Sequence, residues 1–301
     1  MTRNILIILF FSCLYSFSVN NNSLFAFSKS ARTASLSSIH FISDDISGVF
    51  YQPISNKRNI KNDYYFSFIN QYDNQINILQ LGYCIKHDNN KNISVGFIKR
   101  NIGNIYNTSN AWNENDSMPI LEDIQYDNIS NLFYEEFGLI FSYNRYFKNS
   151  IINIKVKPLY HRIDSNKAFG INIDLISNYE LNNINILYGC NNIFSYKKWD
   201  SSLYEKHKIE YFSSISFKLK KMSLYFELNN LINRKFGLEY NIDNFFFFRI
   251  GYNSNKKISY GFGIDLNIID LNYSNINSNA LGISHQISVS IKLNKFKNKF
   301  I

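Results

Sequence analysis

Five histidines, His40, His87, His161, His207 and His285, are the side chains of this 301-residue chain best suited to proton transfer or metal ligation. They are scattered without metal-ligand spacing. Ser284-His285, close to Ser288 and Ser290, invites a Ser/His hydrolase reading, but no G-x-S-x-G surrounds it. On a strand, neighbouring residues point to opposite faces, so Ser284 and His285 cannot meet. Neither a P-loop nor a dinucleotide fingerprint occurs. The expectation is a protein that is not an enzyme, with no cofactor and no metal. The ionisable residues that do recur in a pattern are Lys155, Lys157, Asp174, Glu227, Arg249, Asp265 and Asp270, each at an alternate position of a strand-like run.

Those runs must position them. From about residue 62 the dominant signal has a period of two, best seen where Ile258, Tyr260, Phe262, Ile264 and Leu266 alternate with Ser259, Gly261, Gly263, Asp265 and Asn267. Ile152, Ile154, Val156 and Tyr160 alternate likewise with Asn153, Lys155, Lys157 and His161. About fourteen strands can be counted, at 62–70, 75–86, 92–100, 134–147, 150–163, 167–180, 182–193, 207–219, 222–230, 234–242, 244–252, 257–267, 268–276 and 283–294. Most connections have hairpin length, as at Tyr72-Asp73-Asn74 and Asn253-Ser254-Asn255. Two are longer, Asn101 to Asn131 and Phe194 to Lys206. One face of nearly every strand is rich in Phe, Tyr and Ile and the other is polar, and no Greek-key connection appears, which favours an up-and-down transmembrane barrel over a soluble β-sandwich. Tyr64, Tyr65, Tyr143, Tyr146 and Tyr252 stand at strand ends, where interfacial girdles are expected. Gly261 and Gly263 read as small lumen-facing positions that leave room for a plug. Pro158 interrupts the fifth strand and removes a ladder donor.

Composition agrees. Aromatic residues make up 17% and charged residues only 18%, yet mean hydropathy is −0.23, as expected when one face is apolar and one polar. The net charge of +9 is scattered with no basic run of five, so no nucleic-acid partner is expected. Thr2 and Arg3 followed by the apolar stretch Ile5 to Val19 read as a signal peptide, too short for a membrane span. With the leader removed, Cys84 and Cys190 remain and allow one pairing. The expected organisation is 1–22 signal peptide, 23–60 N-terminal hatch and 61–301 antiparallel transmembrane β-barrel, in a bacterial outer membrane with its lipid as partner.

The segment before the first strand does not alternate. Ser30-Ala31-Arg32, Ala34, Leu36-Ser37, Asp44-Asp45 and Tyr51-Gln52-Pro53 follow one another in an order that resembles the N-terminal signature of the PorV/PorQ family, relatives of the FadL-type long-chain fatty-acid transporters. Ser37 stands where that family usually has Gly, and Gln52 where it has Asn. Lys198-Trp199-Asp200, Gly237-Leu238-Glu239-Tyr240, Arg249-Ile250-Gly251-Tyr252 and Leu281-Gly282 followed by His285 resemble family segments further on. The resemblance implies an all-β barrel of fourteen strands with the N-terminal segment as a hatch or plug. The hatch and lumen residues expected from it and from the alternation are Arg32, Asp44, Asp45, Tyr51, Pro53, Lys155, Asp174, Glu227, Arg249 and Asp265. Arg32 and one of the two aspartates could pair with the wall, or Asp44-Asp45 could simply cap a turn. Two roles stay open: passage of a small apolar solute, or an accessory role in type IX-like secretion of a cargo protein, docked on Asn101 to Asn131.

Overall fold

The computed structural model describes residues 24–27, 29–103, 105–108, 111, 124–230, 232–243, 245–255, 257–278 and 282–293. The expected signal peptide, residues 104, 109–110 and 112–123 of the Asn101–Asn131 connection, and the tail from residue 294 lie outside the described residues. Fourteen strands form the wall: β1 Tyr64–Gln71, β2 Ile76–His87, β3 Lys91–Ile102, β4 Tyr134–Tyr146, β5 Ser150–Ile163, β6 Asn166–Leu181 and β7 Ile184–Trp199. They continue as β8 Glu210–Leu219, β9 Met222–Asn229, β10 Asn233–Ile242, β11 Phe246–Asn253, β12 Lys257–Asp265, β13 Ile269–Ser278 and β14 Gly282–Ile291. Each pairs antiparallel with the next, and β1 pairs with β14 from Tyr64–Ile291 to Gln71–Ser284, so the sheet closes and no edge is left. It is the fourteen-strand up-and-down barrel that the alternation predicts.

The two faces are inverted relative to a soluble protein. Along β1, Tyr64, Phe66 and Phe68 are each more than 40% exposed, while Ser67 between them is fully buried. Asn92, Asn144, Asn153, Lys155 and Glu227 are also buried on the inner face. Among the described residues no helix is long and apolar enough to cross a membrane; the apolar surface belongs to the strands. Turns that would ordinarily call for glycine use Asp164, Asn182, Asn230, Asp243 and Asn267 at positive φ, since Asn and Asp tolerate the left-handed region best among residues with a Cβ.

Two expectations are corrected. Tyr65 and Tyr146 are buried inside the barrel, whereas Tyr64, Tyr143 and Tyr252 face out; tyrosines one or three residues apart on a strand necessarily lie on opposite faces. The seventh strand does not stop at 193 but runs to Trp199, and Tyr204–Glu205 folds back on Lys197 and Lys198. The cause is a bulge: β6 and β7 pair at Ile173–Phe194 and next at Leu175–Cys190. Asn191 and Asn192 are consequently both buried and Ile193 and Phe194 both exposed, which breaks the period of two at that point.

The described residues 24–27 and 29–60 pack against the inner side of the wall, with Asp44, Asn56, Lys57 and Asn59 exposed. They comprise a 3₁₀ turn (Leu24–Phe27), α1 (Ala31–Ser35), capped by the Ser30 hydroxyl accepting from the Thr33 amide at 3.2 Å, and α2 (Gly48–Tyr51). Leu24, Phe25, Ile46, Val49, Phe50, Ile54 and Ile60 form one dry cluster with Tyr65, Ile69, Ile78, Ile98, Ile140 and Leu159 from β1 to β5. Small wall residues make the approach possible: a Cβ on Gly261 would fall 2.7 Å from that of Ser35.

Candidate functional site in the barrel lumen

Three clusters of charged side chains join the polar inner face to the N-terminal segment, beside single hydrogen bonds such as that from the Ser37 amide to Ser259 Oγ at 2.9 Å. In the first, Lys155 of β5, fully buried, donates to the carbonyl oxygens of Gly48 at 2.6 Å, Val49 at 3.2 Å and Gln52 at 2.9 Å. The Gly48 carbonyl also accepts from the Gln52 amide at 3.0 Å, so the ammonium adds to the bonding at the C-terminal end of the short helix α2 and is itself satisfied without a carboxylate. Next to it Lys157 pairs with Asp174 at 2.5 Å, and the same carboxylate accepts from the amide of Asn192 in the bulge at 2.9 Å.

In the second, His40 is wholly enclosed and stacked between Tyr51 and Phe212, with ring centroids 4.0 and 3.5 Å away. One carboxylate oxygen of Glu227 accepts from the His40 backbone amide at 2.6 Å and lies 2.9 Å from Nδ1. The other oxygen is 2.6 Å from Lys235 Nζ, which also donates to the Ser38 carbonyl at 3.0 Å. With Lys235 neutralising Glu227, desolvation dominates, and the His40 imidazole is held below its usual pKa despite the carboxylate.

In the third, Arg32 grips Glu239 of β10 with two bonds of 2.9 and 2.8 Å. Arg249 reaches the same carboxylate at 2.6 Å and bonds Asn272 at 2.8 Å, while the Tyr225 hydroxyl donates to it at 3.3 Å. Gln52 ties the segment to itself, its amide nitrogen donating to Thr33 Oγ1 at 2.9 Å and to the Ile39 carbonyl at 3.2 Å. Ser37 has φ of 54°, which is why a glycine would be easy there.

The expected residues thus fall into separate groups. Arg32, Tyr51, Lys155, Asp174, Glu227 and Arg249 line the contact between segment and wall. Pro53 is buried and its carbonyl accepts from the Ser43 amide at 2.9 Å. Asp265 sits at the short-turn end, where Lys292 pairs with it at 2.8 Å and also with Asp270. Of the two readings of the aspartate pair, the geometry matches capping: Asp44 is exposed, and Asp45 accepts from the Ser47 amide at 2.9 Å and the Ser43 hydroxyl at 2.9 Å, so it caps a local turn. Its contact with the wall is Ser290 Oγ at 3.5 Å. Glu239, Lys235 and His40 were missed as lumen partners, although Lys235 and Glu239 share the parity of Gly237 on β10 and the alternation rule that marks Glu227 also marks them. Ser284 is buried and His285 exposed, as alternation requires, and the His285 ring is 2.8 Å from the Tyr273 hydroxyl. Cys84 and Cys190 are not disulfide-bonded.

Two cavities of about 340 Å³ flank the segment. One, at the short-turn end, is lined by Arg32, Asp44, Lys57, Glu239, Arg249 and Lys292 among others. The other, at the long-loop end, is lined by Lys29, Ser38, Asp174, Asn191, Glu210 and Lys235 among others. The wall itself is interrupted between β4 and β5, which pair at Gly138–Leu159 and at Phe141–Val156 but at neither Leu139–Pro158 nor Ile140–Lys157. Proline has no N–H to contribute there.

No protein-family model matches the chain, and no curated protein matches it by sequence. Among solved structures, the fold is similar to the toluene transporter TodX of P. putida, with a TM-score of 0.59 at 7% identity, covering 87% of this chain and 96% of that one. It is also similar to a deltaS2S3 mutant of the TodX monoaromatic hydrocarbon channel, with a TM-score of 0.55 at 9% identity over 87% and 98% of the two chains. A deltaS2 mutant of the same channel gives 0.56 at 9% identity, over 88% and 97%. The barrel architecture is shared with these channels.

Proposed function

We propose that this chain is an integral outer-membrane barrel of the PorV/PorQ and FadL-like type, that residues 23–60 serve as its hatch, and that it passes small apolar solutes sideways through the wall at Pro158. The observation that carries this reading is the break in the β4–β5 ladder with a dry surface directly behind it. Leu24, Phe25, Ile140 and Leu159 belong to one apolar cluster on the inner side, and Leu139 lies on the exposed outer side. A solute leaving there meets hydrocarbon without crossing a polar layer, and the missing hydrogen bonds are the ones that would otherwise have to break. The exposed apolar belt supports a membrane setting, and the proteins that share the fold are a toluene transporter and a monoaromatic hydrocarbon channel.

The test is flux of toluene into vesicles holding the purified barrel. Pro158→Val restores a donor to the ladder and is expected to slow flux at least fivefold while heat-modifiable gel mobility is kept. Unchanged flux in a folded Pro158→Val barrel would sink the lateral route.

A further inference from the structure

We propose that the cavity on the long-loop side of the N-terminal segment is a binding site for a small hydroxylated carboxylate, with Lys29 supplying the counter-charge. The argument begins with how the lumen treats its other ammonium groups. Lys155 has three carbonyls, Lys157 has Asp174, Lys197 has Glu205, Lys235 has Glu227 and Lys292 has Asp265. Lys29 breaks the rule. Its ammonium lies 5.3 Å from the centroid of the Tyr51 ring, and among the described residues no carboxylate or carbonyl bonds it. Lys29 is partly buried, and a partly buried cation gains from an acceptor that a bound solute supplies.

The surroundings say what that acceptor would be attached to. Four lysines, Lys29, Lys157, Lys235 and Lys257, line the cavity against two carboxylates, Asp174 and Glu210, so the site carries a positive excess. The remaining wall is mainly amide and hydroxyl, and three of those side chains, Gln71, Asn229 and Ser274, each hold a buried polar atom with no hydrogen-bond partner. Amides and hydroxyls that offer both donors and acceptors match the hydroxyls of a sugar-like solute. A volume of about 340 Å³ accommodates a molecule of hexose size, at the small end of ligand sites. Burial and neighbouring Lys235 lower the Lys29 pKa to about 8, against the opposing pull of Glu210 and Glu227. Charge on Lys29 is therefore lost as pH rises through that value, where an ordinary lysine would keep it. Lys257 adds to the lowering, and Tyr51 is the ring the ammonium faces.

The site adjoins the lateral route at Phe25 and Lys157, but Lys29 takes no part in that route, so toluene flux and binding of a charged sugar can fail independently. Glucuronate and its neutral counterpart glucose are the probes, titrated calorimetrically into the full barrel in detergent micelles. Glucuronate is expected to bind at least tenfold more tightly than glucose at pH 7, and to lose at least tenfold in affinity between pH 7 and pH 9. Lys29→Met should abolish the preference for the anion, and Lys29→Arg should keep binding within about threefold of wild type and remove the loss between pH 7 and 9, because guanidinium stays charged there. Heat-modifiable mobility reports that each variant is folded. No heat from glucuronate at 10 mM, equal affinity for the two sugars, or a folded Lys29→Met barrel that still prefers the anion would each overturn the site.

Discussion

The two halves of the barrel wall hold the N-terminal segment by different means. Behind β1 to β5 the contact is mainly apolar, with Lys155 and Asn144 as its polar ties: Phe50 lies against Gly82 and Gly96, where an added Cβ would approach its ring to 3.2 and 3.1 Å, and Phe25 is pressed on Gly138. Behind β8 to β14 the contact is directional, through Glu227, Lys235, Glu239, Arg249 and Ser259, and much of both cavities lies there. The strands differ too, since β2 to β7 have 12 to 16 residues and β8 to β14 have 8 to 10. One alternating pattern therefore supports two kinds of seat. Apolar burial fixes the segment with little dependence on angle, whereas charge pairs fix which residues face which and leave polar space around them.

Substitutions can break either seat. Glu239→Ala leaves Arg32 and Arg249 buried without their shared carboxylate, and the expected loss is about 3–5 kcal/mol, read as a lower unfolding temperature in detergent. Leu24→Ala tests the apolar side, where the side chain is fully buried; an expected loss of about 2–3 kcal/mol comes from the removed methyl groups and the space they vacate. If the two seats are separate, the losses add in the double variant.

A third prediction uses pH. Because burial depresses the His40 pKa below its unfolded value near 6.5, the unfolded chain binds more protons as pH falls below that value. Stability is then full above it and falls toward acid, by up to about 1.4 kcal/mol per pH unit for one proton. Thermal unfolding from pH 7 to 5 measures this, and His40→Gln is expected to flatten the slope. Glu227, Lys235 and Lys29 act on His40 and remain in that variant. The smallest effect concerns Ser38, whose φ is 60°: Ser38→Gly relieves a left-handed position and is expected to stabilise the seat by about 1 kcal/mol, again read by thermal unfolding.

Much of the wall was legible from residue order. Fourteen runs, their hairpin turns and the inward parity of Lys155, Lys157, Asp174, Glu227 and Arg249 follow from a period of two, because alternation is a local property of extended backbone. The same rule failed where it was locally violated. At Asn191 and Asn192 a bulge breaks the period while the seventh strand runs on to Trp199, and the parity of Tyr65 and Tyr146, opposite to that of Tyr64 and Tyr143, sets them inward although tyrosine is a girdle residue by type. For Asp44-Asp45 residue type leaves a wall partner and a turn cap both open, and the choice between them is a matter of backbone geometry.

By itself the amino-acid order determined an antiparallel wall of fourteen strands, which face of each is apolar, and a non-alternating segment ahead of them. Only the tertiary structure decided that Arg32 meets Glu239 across 207 positions, that His40 meets Glu227 across 187, that Lys155 serves carbonyls instead of a carboxylate, and that the Lys29 ammonium faces the Tyr51 ring. The physical reason is range: strand faces follow from neighbours along the chain, whereas pairing inside a lumen depends on barrel closure, stagger and the path of the enclosed segment, which no local spacing encodes.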